Sequence, residues 1–92
     1  MAKKQKLTVE EHTQLGQRLA CIRDELTALH VQLAIAYPRT GLEAAPARNL
    51  VKARKAVDEA RRDLENALYR EHPEHAATTI YYPHPEDRVG TA

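Results

Sequence analysis

The chain has no tryptophan, no phenylalanine and only four tyrosines. That excludes a conventional globular core built around large rings. Leu, Ala, Ile and Val must do the packing, which suits helices. A single cysteine, Cys21, excludes an intrachain disulfide and fits a reducing compartment, so a cytoplasmic protein is expected. No run of about 18 apolar residues occurs, which excludes a helical membrane span. The basic opening Met1-Ala-Lys-Lys-Gln-Lys leads into no apolar stretch, and a cleaved leader is not expected. An excess of one charge is also lacking: 14 Lys and Arg stand against 13 Asp and Glu. Net charge therefore gives no reason to invoke nucleic acid or an anionic membrane. There is no solenoid-like repeat, no Gly-rich phosphate loop, no nucleophile elbow and no plausible triad. Neither catalysis nor a cofactor is expected, and 92 residues make one small domain at most.

What is present is a leucine seam. Leu15, Leu19, Ile22, Leu26, Leu29, Leu33 and Ala36 alternate spacings of four and three. In heptad terms Leu19, Leu26 and Leu33 fall at a, and Leu15, Ile22, Leu29 and Ala36 at d. Thr8-Val9-Glu10-Glu11 reads as a capping box that starts the first helix at about residue 9. Pro38 stops it after Tyr37. Gly16 inside this helix is either a tolerated interruption or a point where another backbone comes close. Pro38-Arg39-Thr40-Gly41 reads as a turn, and Thr40 with Glu43 offers a second capping box. A second helix is expected from about residue 43 to 71, ended by Pro73.

The second helix carries its own seam, with Leu50, Val57 and Leu64 at a and Ala53, Ala60 and Ala67 at d. A short connection makes the two helices antiparallel neighbours. Folding about residue 43 sets Leu19 by Ala67, Leu26 by Ala60 and Leu33 by Ala53, large against small. The expected fold is all-α: a coiled-coil-like antiparallel hairpin over residues 8–72, after a flexible basic arm (1–7) and before an extended, proline-containing tail (73–92). Two helices bury little, and helix 1 is apolar nearly all round between Ala28 and Tyr37. Further cover is therefore expected, from a second copy in a four-helix bundle, from a partner, or from the tail.

Candidate functional residues form three groups. Val31, Ile35 and Tyr37 on helix 1, and Ile80, Tyr81 and Tyr82 in the tail, are apolar or aromatic anchors suited to a partner protein. The tail is expected to dock on the Val31/Ile35 face or on that partner. His12, His72 and His75 meet at the open end of the hairpin, near Glu71 and Glu74, and are the weak metal candidates. No zinc-type spacing supports them, and no metal is expected. Arg48, Lys52, Arg54, Lys55, Arg61 and Arg62 make the first half of helix 2 basic, which is the footprint of a nucleic-acid-associated alternative. Asp58, Glu59, Asp63 and Glu65 interleave with them, as on an ion-paired face.

Chain length and hairpin shape are similar to those of the small secreted helical-hairpin proteins of the WXG100 type. Tyr82-x-x-x-Glu86 resembles their C-terminal YxxxD/E signal, but the turn lacks their Trp-x-Gly motif and no membership is drawn. The expected function is non-enzymatic: a protein–protein interaction module, acting as adaptor, regulator or assembly component, that meets itself and another protein.

Overall fold

The computed structural model describes residues 6–85, so Lys3 and Lys4 of the arm and Glu86 lie outside the described residues. The chain is all-helical: α1 (Val9–Ala36), a 3-10 turn (Leu42–Ala44), α2 (Ala45–Glu71) and a one-turn α3 (Thr78–Tyr81). No strand occurs among the described residues, and none of their helices is long and apolar enough to cross a membrane.

The start of α1 follows from its first four residues. The Glu11 amide donates to Thr8 Oγ1 at 3.0 Å, and the Thr8 amide donates to Glu11 Oε1 at 2.8 Å, closing the capping box. At the other end Tyr37 leaves in an extended conformation (φ −127°, ψ 154°), as a residue before proline must. The expected box at Thr40 and Glu43 does not form. Gly41 heads the 3-10 turn instead, at φ 80°, with no side-chain cap. Only glycine occupies that region without strain, and its carbonyl accepts from the Ala44 amide at 3.2 Å. Helix α2 then begins with Pro46 in its first turn, where the missing N–H costs nothing.

The two long helices lie against each other in antiparallel sense. Contacts run in opposite order along them: His12 to Glu71 (3.3 Å), Arg23 to Asp58 (3.2 Å) and Thr27 to Arg54 (3.4 Å). These pairs differ from the expected register by about one helical turn. The helices are also rolled relative to expectation. Leu19, Leu26 and Leu33 are half-buried, but Ile22 and Leu29 remain 46% and 37% exposed, and Ala36 and Ala60 are exposed. Helix α2 turns Leu50, Val57 and Leu64 inward together with Arg61 and Leu68, which follow each a position by four residues. The buried stripe thus runs along the a and e positions; of the d positions Leu15, Ala53 and Ala67 are half-buried, and the exposed ones, Ile22, Leu29, Ala36 and Ala60, open to the same side of the pair by helical geometry.

The roll makes room for α3 on the opposite side. The tail is not extended throughout, as its β-forming residues and prolines suggest. Packing overrides propensity for one turn, and Pro83 falls after that turn has ended. Gly16 is the docking point. A Cβ there would stand 2.9 Å from the Ile80 carbonyl carbon and 3.2 Å from Tyr81 Cα, with the Ile80 oxygen nearer still. Of the two readings of Gly16, close approach by another backbone is correct. Tyr81 and Leu68 are fully buried with Ala20, so the core sits at the end away from the turn, where Ala44 is the one buried apolar residue. Contrary to one expectation, the described part of the tail leaves the Val31/Ile35 face uncovered, with Ile35 82% exposed.

Because a methyl group at position 16 meets backbone, Gly16→Ala should displace α3 and cost roughly 1–3 kcal/mol. Chemical denaturation measures the loss, and iodination of Tyr81, fully buried in the native chain, reports the displacement. An unchanged midpoint with Tyr81 still protected would refute this account of the docking.

Candidate functional site

Three elements bring polar side chains together at the end of the hairpin away from the turn. The residue that follows the α1 capping box, His12, is 1% exposed, and its Nδ1 lies 2.5 Å from the Tyr81 hydroxyl. Its Nε2 lies 3.3 Å from Glu71 Oε1 in the last turn of α2. An ionised carboxylate only accepts, so the tautomer that satisfies all three groups carries its proton on Nε2 and accepts the Tyr81 O–H at Nδ1. Burial, and then the Glu71 carboxylate, push the Tyr81 hydroxyl up from 10.0 to about 12, which holds the proton that this bond needs. The His12 ring also meets Tyr81 and His72 edge to face, at centroid distances of 5.7 and 5.9 Å. His72, the C-cap of α2, places Nε2 2.7 Å from the Leu7 carbonyl and so ties in the chain before α1. Leu7, the last residue of the expected arm, is half-buried.

A second knot holds the end of α3. Arg61 is 3% exposed, and its Nε and Nη2 donate to the Tyr81 carbonyl at 3.1 and 2.7 Å. Its Nη1 reaches Asp58 Oδ1 at 3.3 Å, an oxygen that also accepts from Arg23 Nε. The guanidinium stacks 4.4 Å above the Tyr82 ring. A one-turn helix cannot satisfy its own last carbonyls, and the planar fork of an arginine supplies two donors to one of them. Asp58 offsets the buried charge from the exposed side.

These contacts sort the sequence candidates. Tyr81 is an internal anchor and offers nothing to a partner, whereas Tyr82, Val31, Ile35 and Tyr37 are exposed and Ile80 is half-buried. Arg61 is withdrawn from the basic track, and Arg54 donates to Thr27 Oγ1. Arg48, Lys52, Lys55 and Arg62 remain exposed, with Glu59 and Asp63 beside them. His12 and His72 come together with Glu71, while His75 is exposed and outside that group. Residue-by-residue reading missed Arg61 as a structural group. The available signal was Leu68, a large apolar residue one heptad beyond it and left out of the a/d seam.

Comparison with known proteins returns no matching family model, no matching curated protein and no matching solved structure, so the functional reading rests on geometry.

Tyr81 makes the fold sensitive to alkali. Its folded pKa is raised, so the stability it contributes is complete below pH 10 and is lost as pH rises through about 12. Circular dichroism should show helicity falling across that window, with a smaller fall in Tyr81→Phe. At pH 7 the same variant should be about 1–3 kcal/mol less stable, because His12 Nδ1 loses its partner in a buried site. Identical alkaline profiles for the two proteins would refute this role.

Proposed function

We propose that this protein is a non-catalytic protein–protein interaction module that pairs with a second copy of itself through the open d edge of α1. The observation that carries the reading is the half-used leucine seam. The intramolecular contact leaves its d residues Ile22 and Leu29 exposed beside half-buried Leu15, Leu26 and Leu33. The exposed Ala60 borders the same side from α2. A contiguous apolar edge of this kind on a small chain with few fully buried residues is a surface for association.

Charge favours a second copy as the occupant. Arg18 and Glu25 flank the d edge one heptad apart, both exposed, and neither has an ion-pair partner among the described residues. In a two-fold antiparallel pairing of α1 with α1, Leu19 layers against Ile22 of the other copy and Arg18 comes opposite the other copy's Glu25, twice. The alternative heptad register sets Glu25 against Glu25. The resulting four-helix assembly leaves Val31, Ile35 and Tyr37 free at the turn end, where another protein would be met.

Light scattering at micromolar concentration should give twice the chain mass. Ile22→Lys and Leu29→Glu, at exposed positions, should give folded monomers. Arg18→Glu should weaken the dimer at least tenfold, and the double exchange Arg18→Glu with Glu25→Arg should restore it. A wild-type monomer at these concentrations would sink the proposal. So would a dimer indifferent to all these changes.

A further inference from the structure

We propose that His12, Glu71 and His72 form a binding site for one divalent transition-metal ion of the zinc type, clasping the pole where α1, α2 and α3 meet. One ligand atom from each residue lies within 4.8 Å of the other two. The His12 Nε2 to Glu71 Oε1 distance of 3.3 Å matches the edge of a tetrahedron with metal–ligand bonds of about 2.0–2.1 Å. Two imidazoles and a carboxylate are a zinc-type donor set, and the nitrogen ligands disfavour magnesium and calcium.

The supporting shell is already in place, which separates this group from a chance cluster of surface histidines. Metal-binding imidazoles are held by a hydrogen bond at their other nitrogen. His12 has the Tyr81 hydroxyl at Nδ1, and His72 has the Leu7 carbonyl at Nε2, which leaves Nδ1 as its lone-pair nitrogen. Ligation of His12 through Nε2 places the ring proton on Nδ1, where the Tyr81 oxygen accepts it. His12 is buried while Glu71 and His72 are half-buried, and a groove lined by Leu7, Thr8, Val9, His72 and His75 opens at this pole. Three protein ligands beside such a groove leave the fourth position to water. Each ligand belongs to a helix end, so an ion here joins the start of α1 to the end of α2 and, through Tyr81, to α3. Its binding adds to the stability of the folded chain.

The test uses the full chain, stripped of metal, titrated with Zn²⁺ by calorimetry and with Co²⁺ by visible absorption. One ion per chain is expected, with the intense bands of low-coordinate Co²⁺ and a Zn²⁺-dependent rise in melting temperature. His72→Ala and Glu71→Gln, both at half-buried positions, should fold without metal, lose at least tenfold in affinity and lose the rise. His75→Gln should match the wild type. The proposal is overturned by absence of saturable binding, by binding unchanged in His72→Ala and Glu71→Gln, or by binding removed in His75→Gln.

Discussion

The docking of Tyr81 between the two long helices is the constraint on which the rest of the structure depends. A pair of helices with leucines at a and d would otherwise close seam to seam. Here the largest fully buried side chain among the described residues comes from outside the pair, and it arrives with a polar tip and a carbonyl that both need partners. Those needs explain two otherwise odd choices: a histidine in the second turn of α1 and a buried arginine in the middle of α2. Each would be costly in an apolar interface, and each is satisfied by the same tail residue.

The helices themselves were legible because their signals are local. Thr8 with Glu11, Pro38 and Pro73 set boundaries that the structure reproduces within a residue or two. The antiparallel arrangement followed from the short connection. Register and roll were not legible, because both depend on a group remote in sequence. Heptad reasoning pairs large with small across two helices and has no place for a third element. Gly16 was the residue that carried this information. Its cost inside a long helix was visible from the sequence, but only the approach of Ile80 explains it. The candidate site was half legible. The nearness of His12 to Glu71 and His72 follows from antiparallel geometry alone, while the replacement of His75 by Glu71 depends on how the chain turns after Pro73.

The unequal use of the leucine seam also gives the molecule two unlike sides. One is filled by α3 and its polar knots. The other presents Ile22, Leu29 and Ala36 of α1 and Ala60 of α2 to solvent. A single element, by choosing a side, sets which residues are internal and which are surface, so α3 shapes the face opposite to the one it fills.

The His12–Tyr81 bond spans 69 residues of sequence, and that separation bears on when the fold is completed. Helices form in about a microsecond and a short turn closes quickly, so the hairpin is an early product of folding. The latch must close a loop of 69 residues out of 92, at an entropic cost that grows with the logarithm of loop length. On a ribosome it cannot close until residues 78–81 have left the exit tunnel. Until then His12, Arg61 and Gly16 lack the contacts that α3 gives them in the folded chain. The contacts that hold the rotation of both helices against α3 are therefore the last that the chain can make during synthesis.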